Sequence, residues 1–445
     1  MSNMEQEIPH KHQVHRVGNW LPNDHRVHDK WLSEVIDHVG QNPKNLHPVL
    51  QEFEKLIENN TRVYLLVQSM FQQVPKKAPY NKDPTGSFAR IKDYKHMLHV
   101  LNHLMTTAPT WTDKADRMGM VGLPINAIFD WPMGTPSGFA LFLDPEVNAM
   151  LKKILNVWGD FLKSPASTYV LENNSNAWFG DFGVSELAKT ANLGVGTKTF
   201  EELYICDSTQ SYHGFKSWDD FFTRLYRPGI RPIASPDNDD VIANACESKT
   251  YKVAHNLKAR DQFWVKGQPY SVTDMLAQDP LAAQFVGGTI YQAFLSALSY
   301  HRWHSPVSGT IVKAFVQDGT YYSEPLFEGL GDAATKTHGI DFHGEATGQG
   351  YITAVATRAI IFIKANNPKI GLMAFIGIGM SEVSTCDIQV KDGQTVKKGD
   401  ELGMFHFGGS SHCLLFRKDV KVGGFPEPGR DHNVPVLSQV AVVEA

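Results

Sequence analysis

The feature that most constrains this chain is a change of hydrophobic period near Ser217. Before it, apolar residues recur at three- and four-residue spacing. Val49, Phe53, Leu56, Ile57, Val63, Leu66, Val67 and Met70 form one such series within Trp31 to Met105, and Tyr94, Met97, Leu98, Leu101 and Leu104 form another. That spacing lays an apolar stripe along a helix. Asp144-Pro145-Glu146 reads as the cap and first turn of a further helix through Met150, Ile154, Val157, Trp158 and Phe161. Gly119 to Leu143 is apolar but punctuated by Gly122, Pro124, Pro132, Gly134, Pro136 and Gly138, so a packed loop is expected there. Ser217-Trp218-Asp219-Asp220 opens a short helix, and Arg227-Pro228 ends it. Beyond Ser235-Pro236-Asp237 the pattern is short β-branched runs between turns: Val241 to Ala245, Tyr251 to Val253, Thr310 to Phe315, Ile352 to Ala356, Ala359 to Ile363 and Leu372 to Ile378. The expected fold is α+β, with a polar leader over 1–30, a helical domain over 31–200 and a sheet-rich domain over 201–445.

Composition narrows the function classes. At ~150 residues per domain, 445 residues suit two or three domains. A charged fraction of 20% and an apolar fraction of 42% exclude a disordered or fibrous chain. The net charge of −5, with no Lys/Arg run, offers no field for nucleic acid or anionic lipid. Cys206, Cys246, Cys386 and Cys413 form no CxxC pair, so a reducing compartment is expected rather than a disulfide scaffold. Met1 to His15 lacks the apolar core of a secretory signal, and no run reaches the ~18 apolar residues of a membrane span. A cytoplasmic protein without membrane contact is expected. Ala359 to Met380 is interrupted by Lys364, Asn366, Asn367, Pro368 and Lys369 and reads as two buried strands joined by a turn. The histidines at 10, 12, 15, 25, 28, 38 and 47 fit no ligand template, and no metal is expected.

Three short segments carry chemistry. In His406-Phe407-Gly408-Gly409-Ser410-Ser411-His412, two glycines place an unhindered carbonyl directly before a hydroxyl, the requirement for an N→O acyl shift. In Tyr300-His301-Arg302-Trp303-His304-Ser305-Pro306, two histidines at i and i+3 share a face on a helix but not on a strand. They suit a metal pair, a base with a structural partner, or two satisfied residues at a helix end. In Ala245-Cys246-Glu247-Ser248 a lone acid ends a β-branched run, where it is placed to orient a histidine or simply to close a strand.

The order of these segments resembles the phosphatidylserine decarboxylase family. Phe221-Phe222-Thr223-Arg224 with Arg227-Pro228 and Arg231-Pro232 looks like the family's entry segment. Val265-Lys266-Gly267 through Ser271, the Tyr300–Pro306 segment, Ile376 to Val383, and Lys397 to Ser411 are similar to its later motifs. The helical N-terminal extension, Trp303 and the GGSS sequence further resemble the fungal decarboxylases of the psilocybin-pathway type, which act on L-tryptophan. One departure is Glu247, where many members carry an aspartate.

The resemblance implies a pyruvoyl-dependent decarboxylase. His304, oriented by Glu247, takes the proton of Ser410, which attacks the Gly409 carbonyl. Elimination cuts the chain between 409 and 410, and hydrolysis leaves a pyruvoyl group from Ser410 and two chains of one precursor. That group then draws electrons from a small amino-acid substrate as CO₂ leaves, with His304 returning a proton. His301 and Trp303 are assigned to substrate binding. Phosphatidylserine is the alternative substrate. Rival classes are a carrier-type barrel, suggested by Val390 to Asp400, and a zinc hydrolase using His301, His304 and His338 or His343. Glycine-rich Glu324 to Gly350 is a candidate lid.

Overall fold

The computed structural model describes residues 25–74, 91, 93–112, 119–121, 123–175, 177–193, 196–261, 270–323, 348–382, 385–407, 410–430 and 432–444. Helices dominate its first half. The expected stripes lie on His25–Gln41, Pro48–Asn59, Thr61–Gln73 and Tyr94–Leu104, each turning its apolar face inward. The longest helix, Pro145–Lys163, starts where Asp144 caps it, accepting from the amides of Glu146 at 2.9 Å and Val147 at 3.3 Å. Such a cap contributes about 1 kcal/mol.

Among the described residues there are fifteen strands in four sheets, most of them in the second half. β1 (Thr110–Thr112) and β2 (Gly119–Val121) form a hairpin. The rest are β3 (Val241–Ala243), β4 (Lys249–His255), β5 (Thr289–Leu295), β6 (Arg302–His304), β7 (Gly309–Gln317), β8 (Arg358–Ala365), β9 (Leu372–Gly379), β10 (Thr385–Ile388), β11 (Thr395–Val396), β12 (Glu401–His406), β13 (Ser410–Phe416), β14 (Val422–Gly423) and β15 (Gln439–Val443). Seven make one antiparallel sheet in the order β11-β7-β8-β9-β13-β5-β4; β10-β12-β6 and β14-β15-β3 are smaller sheets. Trp303 of β6 and Phe405 of β12 are in ring contact at 4.7 Å, and Trp303 meets Phe375 of β9 at 5.4 Å, so the β10-β12-β6 sheet covers one face of the large sheet. Val272, Met275, Phe285 and Ile352 cover the other. A sheet covered on both faces reads as near-continuous apolar runs, and β8 and β9 do so across the turn that the sequence predicted.

Three expectations change. Ile352 to Ala356 reads as a strand, yet Gln349–Val355 is a helix whose Tyr351 and Ile352 pack on the sheet; burial there outweighs β-branched propensity. Gly119 to Leu143 contains β2 and two short helices, Asn126–Met133 and Pro136–Phe142, with Thr135 capping the second. The Tyr300–Pro306 segment is extended rather than helical. Helical and sheet residues share one apolar cluster running from Leu32 to Val443. None of the four cysteines is paired. No helix among the described residues is long and apolar enough to cross a membrane.

Candidate active site

Ser410 opens β13 at the heart of the large sheet, paired with Leu295 of β5 and Gly379 of β9. It is fully buried, and its Oγ has no hydrogen-bond partner among the described residues. Such an orphaned hydroxyl costs about 1–3 kcal/mol relative to a bonded one. Gly409 lies with Gly408 outside the described residues. Just ahead of them Phe407 holds φ at +62°, a region costly for a bulky side chain. Its ring packs 5.9 Å from that of Trp158, and a Cβ on Gly159 would come within 2.8 Å of it. The helix Pro145–Lys163 therefore clamps the approach to the Gly-Gly-Ser step.

His304 ends β6, opposite Glu401. Its Nδ1 lies 2.9 Å from the Gly399 carbonyl and its Nε2 3.1 Å from the Tyr300 hydroxyl. A carbonyl only accepts, so Nδ1 carries the proton and Nε2 the lone pair, to which Tyr300 donates. Burial holds the imidazole below its ordinary pKa, partly offset by the Gly399 carbonyl, so it is neutral and able to accept a proton. In the extended chain His301 takes the other direction. It is fully buried, stacks on Phe222 at 4.2 Å, and burial followed by the charge of Arg224 drives its pKa well down.

Glu247 is not bonded to His304. Its carboxylate receives Arg231 in a fork, Nη2 at 2.5 Å and Nε at 3.0 Å, together with the Tyr226 hydroxyl at 3.2 Å and the Val436 amide at 2.7 Å. The link to His304 is indirect. Tyr226 stacks on Tyr300 at 4.8 Å, and Tyr300 lies parallel to His304 at 5.8 Å. Trp303 is a core residue, wholly buried among Phe375, Phe405 and the glycines at 377 and 403.

A small cleft opens beside Gly379, the strand partner of Ser410, and is lined by Met133, Tyr321, Ser323, Ile352, Met380 and Ser381. Neither His301 nor Trp303 reaches it. His338, His343 and most of the candidate lid lie outside the described residues. Among the described residues no group of three or more His, Cys, Asp or Glu is arranged to hold a metal.

Two residues escaped the motif reading. Tyr300 belongs to a quoted motif, yet its contact with His304 needed the folded chain. His412 sits two positions after Ser410, so strand alternation turns both to one face. It is buried between Tyr291 and Phe375, its ring nitrogens lack partners among the described residues, and burial lowers its pKa to about 3. That alternation was available once β13 was recognised as a strand.

His406, at the end of β12, is held between Asp219, 2.9 Å from Nδ1, and Asp387, 3.2 Å from Nε2. Burial opposes its charge and Lys163 adds to that, but Asp219 and then Asp387 outweigh them and raise its pKa above the ordinary 6.5. A histidine with a raised folded-state pKa contributes stability that is whole below 6.5 and disappears as pH rises through the higher folded value. The melting temperature is therefore expected to fall by a few degrees as pH rises from 6.5 through that value, and His406→Gln to flatten the dependence. Thermal melts across that range check this.

A family model for phosphatidylserine decarboxylase matches residues 218–431, which include Glu247, His304 and Ser410, and a second model of the same description matches residues 47–187. Decarboxylase iboD of Amanita muscaria is 43% identical over 309 residues, covering 69% of this chain and 87% of that protein. The L-tryptophan decarboxylase of Psilocybe cyanescens is 36% identical, covering 94% of this chain and 92% of its own. Phosphatidylserine decarboxylase proenzyme 3 of Schizosaccharomyces pombe is 33% identical over 50% of this chain and 21% of its own. Fold and relatives define an enzyme of the carboxy-lyase class. The chain belongs to the phosphatidylserine decarboxylase family, which is pyruvoyl-dependent.

Proposed function

We propose that this protein cuts itself between Gly409 and Ser410 and then converts L-tryptophan or a close aromatic amino acid to its amine. The partnerless Oγ of Ser410 at the centre of the sheet, beside a small cleft, carries this reading. A buried hydroxyl with nothing to bond, followed by a stable strand and preceded by two glycines, fits a residue that becomes a pyruvoyl group.

His304 accepts the Ser410 proton at Nε2, once the Tyr300 hydroxyl gives up that lone pair. The Ser410 oxygen bonds to the Gly409 carbonyl carbon, and the amide C–N bond breaks to leave an ester. Loss of the Ser410 α-proton breaks the ester C–O bond, so the first chain leaves as a carboxylate. Water replaces the nitrogen of the dehydroalanine, releasing ammonia and leaving the ketone. When formed, the pyruvoyl group supplies the electron sink for loss of CO₂. Glu247 positions His304 through Tyr226 and Tyr300 rather than by direct contact. His301 supports this site from the core side.

The substrate assignment draws on length and size. The L-tryptophan decarboxylases of Psilocybe span nearly the whole chain, helical part included, whereas the phosphatidylserine decarboxylase of Schizosaccharomyces pombe matches half of it. The cleft beside Gly379 is small, and its lining of Met133, Tyr321, Ile352 and Met380 is largely apolar, which suits an aromatic side chain better than a diacyl lipid. Purified protein is expected to release tryptamine from L-tryptophan and little ethanolamine lipid from phosphatidylserine vesicles, read by amine analysis. Ethanolamine lipid without tryptamine overturns the substrate and leaves the self-cleavage standing.

A further inference from the structure

We infer that the helical N-terminal part builds the side-chain subsite of this enzyme, with Met133 as the residue that sets which aromatic side chain fits. This rests on the aromatic-decarboxylase reading above.

The cleft beside Gly379 lies at the end of the large sheet where Ser410 begins. Most of its lining comes from the catalytic sheet and its connections: Tyr321 and Ser323 after β7, Ile352 from the helix before β8, and Met380 and Ser381 after β9. Among the described residues Met133 alone comes from the helical part, as the last residue of Asn126–Met133. Two unbranched thioethers, Met133 and Met380, thus stand in one small cleft with the ring of Tyr321. Methionine sulfur contacts aromatic rings favourably and adapts its shape to them. Ser323 and Ser381 provide a polar rim suited to an indole N–H.

Met133 is held in place from the sheet side. Glu382, directly after the cleft residues Met380 and Ser381, accepts the backbone amides of Ile125 and, at 2.8 Å, of Asn126, the first residue of that helix. The Ser381 hydroxyl bonds the Asn126 side chain at 2.8 Å. Glu382 is 1% exposed, with the Tyr322 ring beside it. A short helix tethered at its start to the turn after β9 carries its end into the cleft as a fixed wall. Burial lifts the Glu382 carboxyl to about 8 against the pull of these amides, so the tether is a proton-bearing group rather than a surface ion pair.

The test compares kcat/KM for L-tryptophan and L-phenylalanine in the wild type, Met133→Trp and Met133→Ala, with the extent of self-cleavage read on a denaturing gel. Each variant is expected to be cut as the wild type is, because the Met133 thioether supplies neither the nucleophile nor a base for the cut. Met133→Trp fills the subsite and is expected to lower the tryptophan-to-phenylalanine ratio on the order of 10-fold, mainly through KM. Met133→Ala is expected to move the ratio the other way. One or two methylenes in an apolar pocket are worth about 10–200-fold in discrimination. Fully cut variants with an unmoved ratio overturn the subsite alone. A wild type that turns over neither amino acid overturns the parent reading, and this is seen before any variant is assayed.

Discussion

Ser410→Ala is expected to leave the chain uncut and without decarboxylase activity. The variant lacks the only nucleophile adjacent to the Gly409 carbonyl, and it cannot form the ketone. Loss of a covalent-catalysis nucleophile typically costs on the order of 10⁴-fold or more. In the wild type, a denaturing gel is expected to show a short C-terminal chain beginning at position 410, and mass spectrometry a blocked, pyruvoyl N-terminus on it. Under native conditions the two chains should co-elute. β13 lies between β5 and β9 with seven paired residues on each side, and β15 pairs with β3, so the short chain is woven into sheets made by the long one. The alanine removes only an unbonded hydroxyl, so the variant should melt no lower than the uncut precursor. An intact wild-type chain that decarboxylates would overturn the self-cleavage reading.

His304→Ala is expected to block cutting, and His301→Ala to permit it. The difference follows from the two environments. His304 Nε2 carries its lone pair toward the Tyr300 hydroxyl, whereas the His301 ring is stacked on Phe222 inside the core. Removing a positioned general base costs about 10²–10⁴-fold, so His304→Ala should remain largely uncut over times in which the wild type is fully processed. His301→Ala opens a cavity beside Phe222 and should lower the melting temperature without stopping the cut. A cut His304→Ala with an uncut, folded His301→Ala would reverse the two assignments.

Much of the architecture was legible because it depends on local spacing. The three- and four-residue stripes of Val49 to Met70, the Asp144 cap, and the broken apolar run that became β8 and β9 all state their structure within a few residues. Likewise Gly409-Ser410 declares its chemistry through adjacency, since the acyl shift needs only a hydroxyl beside an unhindered carbonyl. Local propensity misled where burial decided instead. Ile352 to Ala356 has strand residues in a helix, because Tyr351 and Ile352 gain more from packing on the sheet than from extension.

The environment of each site residue was settled only by tertiary structure. Whether His301 and His304 share a face was open in the sequence; in an extended chain they part, and each meets elements far away in sequence. Glu247 bonds Val436, 189 positions on, and Arg231, so its carboxylate serves a buried ion pair and reaches His304 only through two tyrosine rings. Trp303 is wholly buried because the small sheet closes over the large one. Met133 meets the Ser410 end of the sheet because Glu382 bonds Ile125 across 257 positions. The sequence by itself determined which groups can react and most of the helical and strand segments, since both depend largely on neighbours along the chain. Which base is free, which acid is engaged and which wall bounds the substrate depended on contacts between distant segments, and those exist only after the sheets have stacked and the helical part has docked.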